Sequence, residues 1–182
     1  PFQLKNIIGV ANGAVSPVYA GAMLGPAAVG FINWAQSTAY FPLKLVEIMG
    51  RVTFPLYSRL QDDKALLAET LGRSIFICAT GTLFFTALFT GIGPELVHVF
   101  FTDKWQPAAP LLYIYAGAIS IGFLGPIVAS ALDASGKPQI FAKLALAWTA
   151  LNWAIVAVTT PLFGMLGVAA GYSVHVVVGN IV

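Results

Sequence analysis

The sequence is poor in charged side chains. Only 9% of its 182 residues are Asp, Glu, Lys or Arg, whereas 58% are hydrophobic, and the mean hydropathy is +0.85. A soluble domain carries about 25% charged residues because its surface must be hydrated. The composition therefore argues against an ordinary soluble protein and predicts an integral membrane protein. A net charge of only +2, with no basic cluster on a soluble domain, also argues against nucleic-acid binding.

Cysteine and the common catalytic motifs are scarce as well. Cys78 is the one thiol in the sequence, which excludes an internal disulfide and a cysteine-based metal site. The phosphate-binding G-x-x-x-x-G-K-[ST] loop, the HExxH zinc motif and the G-x-S-x-G nucleophile motif are missing. The sequence therefore predicts no enzyme, no cofactor and no metal, and an ATP-driven pump would need its energy domain elsewhere.

Long apolar runs are what the sequence does contain. A bilayer core needs about 20 apolar residues as helix, and lipid favours helices because their backbone groups are bonded internally. We predict an all-α, polytopic membrane protein, with residues 1–182 forming a single six-helix lobe. The predicted spans are residues 3–24, 31–54, 74–101, 108–132, 139–160 and 165–182. Turns are expected at 25–30 and 161–167, a break in the third helix near 91–94, and an interfacial loop anchored by Trp105 at 95–110.

The orientation follows from the basic residues. The stretch Arg51–Arg73 holds seven of the sixteen charged residues, and we expect residues 55–73 to be a connector whose second part, 63–73, is an interfacial helix or a helix extension. Lys and Arg accumulate on the cytoplasmic side of membranes. Even-numbered turns and the start of the chain carry Lys5, Arg51, Arg59, Lys64, Arg73 and Lys137, and odd-numbered turns carry only Lys104. Residues 55–73 and 133–138 are therefore predicted to be cytoplasmic.

The second predicted helix carries polar residues along one face, at intervals of three, four and seven. These residues are Asn33, Gln36, Ser37, Tyr40, Lys44, Glu47 and Arg51. Polar side chains inside a membrane face other helices or water. One interpretation is a structural ion pair between Lys44 and Glu47 that fixes this helix to a neighbour. The other is a hydrated, partly cationic cavity along which an anionic substrate moves.

Other helices carry isolated polar residues. Asn12 on the first helix has the spacing to face the polar stripe. Thr149 and Asn152 share a face of the fifth helix and are candidates for interhelical hydrogen bonds. His175 on the last helix is either a packed histidine or a proton relay.

Four phrases of the sequence together identify a family. They are GPAAVGFINWA at 25–35, VTFPLYSRLQ at 52–61, KWQPAAPLLYI at 104–114 and SGKP at 135–138. In this order they resemble the polysaccharide branch of the multidrug/oligosaccharidyl-lipid/polysaccharide (MOP) flippase superfamily, which includes O-antigen and exopolysaccharide flippases. The resemblance extends over nearly the whole chain and is to the second six-helix lobe. Because the chain begins at Pro1 and ends inside an apolar run, we expect a piece of a longer protein whose first lobe is missing.

The resemblance implies one lobe of a V-shaped, two-lobe, MATE-like transporter in the bacterial inner (cytoplasmic) membrane. Such a protein would move undecaprenyl-diphosphate-linked oligosaccharides to the outer leaflet by alternating access, for lipopolysaccharide or exopolysaccharide synthesis. An H+ or Na+ gradient would drive it. Its partners would be the lipid bilayer, the polyprenyl-diphosphate-linked oligosaccharide, a polysaccharide polymerase and glycosyltransferases.

The family motifs assign no binding residue, so the substrate path is inferred from spacing and charge alone. Lys44 and Arg51 would attract the diphosphate. Asn33, Gln36 and Tyr40 would line a sugar path. Glu47 would partly neutralise the positive charge of the path or carry a coupling proton. Asn12 would line the path from the first helix.

Three alternatives remain open. A multidrug or cation antiporter of the same superfamily would favour acidic cavity residues, and Glu47 is the one carboxylate that we place in mid-membrane. In a non-transporting scaffold of a polysaccharide assembly complex, the polar stripe would be packed and dry. A membrane glycosyltransferase or polymerase would need an acidic pair in a loop, and the sequence shows no suitable pair.

Overall fold

The computed structural model describes residues 2–60, 62–134 and 138–181, and this part of the chain is helical throughout, with short connections. Its α-helices are α1 Phe2–Gly13, α2 Gly21–Leu24, α3 Pro26–Ala39, α4 Phe41–Arg59, α5 Lys64–Phe100, α6 Ala109–Gly122, α7 Leu124–Ala134 and α8 Pro138–Ile181. A π-helix at Ser16–Ala20 joins α1 to α2, and a 3₁₀ helix at Asp103–Ala108 precedes α6. The all-α prediction is confirmed for these residues.

Some predicted features lie outside the described part. Gln61 of the VTFPLYSRLQ phrase is one, and residues 135–137 of the predicted cytoplasmic turn are another. The side chain of Lys5, which contributed to the predicted orientation, is a third.

Prolines and glycines account for the first irregularities of the chain. The π-helix contains Pro17, which has no N–H to give to the preceding turn, so the backbone widens locally. Gly25, with φ 85° and ψ 172°, makes the turn after α2 in a conformation that suits glycine. Pro26 then begins α3, where its fixed φ is favourable. The predicted turn at 25–30 is therefore confined to one residue, and helix resumes five residues earlier than expected.

The second predicted span, 31–54, is two helices instead of one. The chain breaks at Tyr40, between α3 and α4. Pro42 is the cause, because its ring cannot accommodate the carbonyl of Thr38, four residues earlier. The same reason explains the break at Phe123 between α6 and α7, where Pro126 follows Gly122 by four residues.

The connector at 55–73 is also mostly helical. Residues 55–59 extend α4, and residues 64–73 are the first turns of α5, so the alternative of a helix extension is confirmed. Asp63 caps α5, because its Oδ1 accepts a hydrogen bond of 3.1 Å from the Leu66 amide. The break expected near 91–94 is absent, since α5 continues to Phe100.

The interfacial loop predicted at 95–110 is shorter than expected and is packed against α3. Trp34 on α3 contacts Phe101 with a ring-centroid distance of 4.8 Å and Trp105 with one of 5.6 Å. Phe31 adds a T-shaped contact to Trp105 at 5.8 Å. Trp105 is half-buried among these rings, so it fixes the loop to α3 in addition to any role at the headgroup level.

Helix α8 reverses direction at Gly164, where φ is 58° and ψ is −133°. The hydroxyl of Thr159 donates to the carbonyl of Gly167 at 2.8 Å, which joins residues 138–163 to residues 165–181. Gly171 packs against Ile155 on the facing half. The predicted turn at 161–167 is therefore a reversal at a single glycine, because only glycine tolerates this backbone conformation.

Helix α6 lies in the centre of the lobe and contacts α3, α5 and α8. Its buried side chains include Leu111, Tyr115 and Ile119, each at most 1% exposed. The outer helices, in contrast, expose large apolar side chains, such as Phe76 at 72%. This distribution suits a protein surrounded by lipid, where the outer surface needs no hydration.

Within the described residues, four helical segments are long and apolar enough to cross a bilayer. They are Ile7–Leu24, Lys64–Gly93, Asp103–Ala134 and Ala142–Asn180. The chain is therefore a multi-pass membrane protein. The predicted span 31–54 is not among these segments, because the break at Tyr40 leaves helices of 14 and 19 residues, the second of which is charged. The last segment includes the reversal at Gly164, and the count of six spans and the second lobe stay predictions.

Candidate substrate cavity

The polar stripe of α3 and α4 lines three neighbouring cavities. The Lys44 cavity, of about 360 Å³, lies at the α3–α4 break and is lined by Gly9, Asn12, Gly13, Gln36, Ser37, Tyr40, Lys44 and Tyr172. The central cavity, of about 330 Å³, is lined by residues that include Asn12, Tyr40, Glu47, Gly122, Gly125, Trp148, Tyr172, His175 and Asn180. The Arg51 cavity, of about 750 Å³, is lined by Glu47, Gly50, Arg51, Phe54, Pro126, Ala129, Ser130 and Asp133.

These cavities share walls and follow one another along the stripe. Asn12, Tyr40 and Tyr172 belong to both the Lys44 cavity and the central cavity. Glu47 and Pro126 belong to both the central cavity and the Arg51 cavity. Six of the seven predicted site residues therefore lie on one continuous path, which is lined by α1, α3, α4, α6, α7 and α8.

Asn33 is the predicted site residue that lies apart. It is exposed on α3 and lines none of these three cavities. Gln36, one turn later, does line the Lys44 cavity. The path therefore begins closer to the α3–α4 break than the seven-residue spacing indicated.

The charged residues of the stripe are not paired with one another. Lys44, Glu47 and Arg51 are exposed to the cavities, and none of the ion pairs within the described residues involves them. The Lys44–Glu47 ion pair expected in one interpretation is thus absent from this structure. The carboxylate and the ammonium lie in different cavities, because Glu47 lines the central cavity and Lys44 lines the Lys44 cavity.

Polar contacts hold the α1 wall of the path against α8. Asn152, which is buried, donates from Nδ2 to Oδ1 of Asn12 at 2.8 Å. The hydroxyl of Tyr19 donates to the carbonyl of Ala157 at 3.2 Å. Asn152 is therefore the interhelical partner that the sequence predicted, whereas Thr149 donates to Ala145 within its own helix.

The described residues contain no group of three or more His, Cys, Asp or Glu side chains that could hold a metal ion. The central cavity instead combines amides, an imidazole, phenols and an indole with a single carboxylate. Such a lining offers hydrogen bonds in both directions and flat apolar faces. It suits a large polar ligand, with positive charge available from Lys44 and Arg51 at its two ends.

Comparison with known proteins places the chain in a family. A family model described as "Polysaccharide biosynthesis protein" matches residues 1–110. The chain belongs to this family. The resemblance to the polysaccharide branch of the flippase superfamily, predicted from four short phrases, is thereby confirmed.

Two curated relatives of this polysaccharide biosynthesis family member extend the similarity to nearly the whole chain. The "Lipopolysaccharide biosynthesis protein WzxC" of Escherichia coli (strain K12) is 25% identical over 179 residues, which are 97% of this chain and 36% of that protein. An "Uncharacterized membrane protein in cps region" of Klebsiella pneumoniae is 25% identical over 172 residues, 93% of this chain and 35% of that protein. The chain thus spans about a third of the length of these relatives. No solved structure matches it.

Sequence reasoning missed the α8 wall of the path. Trp148, Tyr172 and Asn180 line the central cavity and were not singled out, and His175 was considered only as an isolated residue. A signal was present, since Tyr172, His175 and Gly179 follow at intervals of three and four and share a helix face. The reversal at Gly164 brings this face to the central cavity, where it meets residues of the stripe.

Proposed function

We propose that this polysaccharide biosynthesis family member forms part of a flippase for lipid-linked oligosaccharides. The substrate is an undecaprenyl-diphosphate-linked sugar repeat unit, and alternating access carries it across the bacterial inner membrane. The observation that carries the proposal is a path of connected cavities whose two cations, Lys44 and Arg51, have no anionic partner among the described residues. The lipopolysaccharide biosynthesis role in the name of the Escherichia coli relative supports the substrate class.

Unpaired cations beside a membrane cavity are costly unless they serve a ligand. A charged side chain in a membrane protein faces a partner or water and marks a pathway for ions or substrates. Lys44 and Arg51 lie seven residues apart on α4, about 10.5 Å along the helix axis. A diphosphate that moves along the path thus meets a second cation when it leaves the first.

The neutral polar residues suit the other part of the substrate. Asn12, Gln36 and Tyr40 present amide and hydroxyl groups beside Lys44, and Asn12 and Tyr40 also line the central cavity. Sugar hydroxyls both donate and accept hydrogen bonds, as these groups do. The glycan therefore faces the amide-rich part of the path, while the lipid chain remains in the bilayer.

Charge removal tests the role of Lys44. The full-length protein with Lys44→Ala, expressed in cells that lack the wild-type copy, should lose surface polysaccharide at least about tenfold, since a charge-assisted hydrogen bond is worth about 1.5–3 kcal/mol. Lys44→Arg should retain most of it. Lys64→Ala is the matched control, because Lys64 is an exposed cation at the start of α5, away from the path. Wild-type polysaccharide from normally expressed Lys44→Ala would contradict the role.

Thiol accessibility tests whether the path is wet. In a Cys78→Ala background, Tyr40→Cys should react with a membrane-impermeant, water-soluble thiol reagent. Phe41→Cys is the control, because Phe41 is 48% exposed on the apolar outer surface next to Phe85. If both positions were equally inert, the stripe would be dry and the non-transporting scaffold would be favoured.

A further inference from the structure

Two buried polar atoms beside the central cavity have no hydrogen-bond partner within the described residues. One is Nδ1 of His175, whose residue is 9% exposed, and the other is Oδ1 of Asn152, whose residue is 1% exposed. His175 lines the central cavity directly. Asn152 is bonded through its Nδ2 to Asn12, which also lines that cavity. Because buried polar groups are nearly always satisfied, an unpaired donor or acceptor next to a cavity indicates a missing partner.

The space around His175 is larger than a water site. A second pocket, the Trp148 pocket of about 230 Å³, adjoins the central cavity and shares Asn12, Trp148 and His175 with it. A water molecule takes about 30 Å³ of liquid volume, whereas ligand cavities begin at about 300 Å³. The central cavity, at about 330 Å³, reaches that size by itself.

The chemistry of this region is neutral and amphipathic. Trp148 is half-buried and has one ring face against Gly179, where an added Cβ would lie 3.4 Å from the indole. Asn180 adds an amide from the same helical half as His175. A pyranose ring has hydroxyls at its edge and C–H groups on its faces, so amides and imidazole match its edge and an indole matches its face.

We propose that Trp148, His175 and Asn180, where α8 faces Asn12 of α1, form a saccharide subsite that holds a sugar unit of the transported glycolipid. The inference rests on the proposed flippase function and adds a position for the glycan. Lys44 and Arg51 receive the diphosphate, and the neutral pocket beyond Tyr40 receives a sugar ring. The hydroxyls of that ring meet the imidazole of His175 and the amides of Asn12 and Asn180, which line the cavity.

Protection from thiol labelling separates the two proposals. The full-length protein, in a Cys78→Ala background, carries a single cysteine at Ser37 in the Lys44 cavity or at Asn180 in the central cavity. Lys64→Cys is the control, because Lys64 is exposed at the start of α5, away from the cavities, and should be labelled with or without either lipid. Proteoliposomes are labelled with a water-soluble maleimide in the presence of undecaprenyl diphosphate, or of the lipid-linked oligosaccharide extracted from membranes of the bacterium that makes the protein.

Both lipids should protect Ser37→Cys, and only the sugar-bearing lipid should protect Asn180→Cys. At a ligand concentration ten times Kd, labelling should slow about tenfold. If Asn180→Cys does not fold, Gly125→Cys probes the same cavity, where the added Cβ would lie 3.4 Å from Oδ1 of Asn180.

Each of the other outcomes overturns a defined claim. Protection at Ser37 without protection at Asn180 refutes the saccharide subsite and leaves the flippase proposal intact. Protection of Asn180 by both lipids shows that the pocket receives the diphosphate or lipid, and also refutes it. Absence of protection at both positions refutes the flippase proposal and the subsite together.

An affinity measurement gives an independent readout. His175→Ala should weaken binding of the sugar-bearing lipid about fivefold, as expected for one lost hydrogen bond. Binding of undecaprenyl diphosphate should not change. Val174→Ala is the matched control, because Val174 precedes His175 and is 48% exposed. Equal weakening for both lipids would mean that His175 only maintains the packing of α8, and the subsite would be rejected.

Discussion

The close approach of the two halves of α8 at Gly167 gives a quantitative test of the fold. At the reversal of α8, a Cβ atom on Gly167 would lie 2.5 Å from the carbonyl carbon of Thr159 and would overlap its carbonyl oxygen. Both atoms belong to the backbone of the facing helix half, so no rotamer change can relieve the contact. Gly167→Ala must therefore separate the two halves that place Trp148 and His175 beside the cavity.

The expected cost follows from what each added methyl group meets. Overpacking costs about 1–3 kcal/mol, and an obstacle that is backbone puts Gly167→Ala at about 3 kcal/mol or more. Gly171→Ala meets side-chain atoms of Thr159 at 3.0 Å and Ile155 at 3.2 Å, which can shift, so we expect about 1 kcal/mol. Gly117→Ala is the matched control in α6, where nothing lies within 4 Å, and alanine should stabilise the helix by about 0.5–1 kcal/mol.

The measurement is the free energy of unfolding of the purified protein in mixed micelles, obtained by denaturant titration for the three variants. Gly117→Ala should be the most stable variant, Gly171→Ala should be intermediate, and Gly167→Ala should be the least stable. Neutral surface substitutions change the free energy of unfolding by less than about 0.5 kcal/mol. If Gly167→Ala changed it by no more than this, the close antiparallel packing of α8 would be refuted. Loss of surface polysaccharide in Gly167→Ala alone would not decide the question, because a misplaced cavity wall and an unfolded protein both abolish transport.

Three further predictions concern contacts around the path. A double-mutant cycle of Asn12→Ala and Asn152→Ala should give a coupling free energy of about 0.6 kcal/mol, and at most about 1.7 kcal/mol, as for other hydrogen bonds between membrane helices. A coupling free energy of zero would mean that the hydrogen bond of 2.8 Å between the two side chains does not form. Asp63→Ala should cost about 1 kcal/mol and increase amide exchange in the first turn of α5, because the cap on Leu66 is lost, whereas Asp63→Asn should be nearly neutral. Trp34→Ala should destabilise the protein by about 3 kcal/mol, the low end for an aromatic truncation, because Trp34 is only half-buried. It should also make the loop after α5 sensitive to protease, and unchanged resistance to protease would contradict the role of Trp34 as the anchor of that loop.

The sequence was sufficient to predict the features that depend on composition and local spacing. Run length and low charge predicted a helical membrane protein. Intervals of three, four and seven predicted the polar stripe, and six of its seven site residues do line connected cavities. These predictions succeed because helix periodicity alone determines which residues share a face.

Prolines show why the helix boundaries were less predictable. Pro42 and Pro126 each follow a break in the helix, whereas Pro55 lies inside α4, which continues, and Pro161 lies three residues before the reversal of α8 at Gly164. The local chemistry of the four residues is the same. What differs is whether neighbouring helices and cavities satisfy the backbone groups that a proline releases, and this depends on packing between distant parts of the chain.

The cavity walls and the charge pairing depended on tertiary structure in the same way. Lys44 and Glu47 are three residues apart, which allows an ion pair and does not require one. The choice is made by their surroundings, because each side chain faces a different cavity. The partner wall begins at Trp148, which is 97 residues after Arg51 at the end of the stripe, so no local pattern could connect the two.

The two broken helices support the assignment of the central cavity as the functional site. Irregular backbone inside a membrane is tolerated where it borders a cavity or is buried in protein, because lipid cannot satisfy its polar groups. Both breaks meet this requirement at the same place: Tyr40, at the α3–α4 break, lines the central cavity, and Gly122 and Gly125, on either side of the α6–α7 break, line its opposite wall. A scaffold without a hydrated path would not need two interrupted helices beside the same cavity. In transporters, discontinuous helices commonly surround the substrate at mid-membrane, so two helix breaks that border one cavity are what the proposed flippase function predicts.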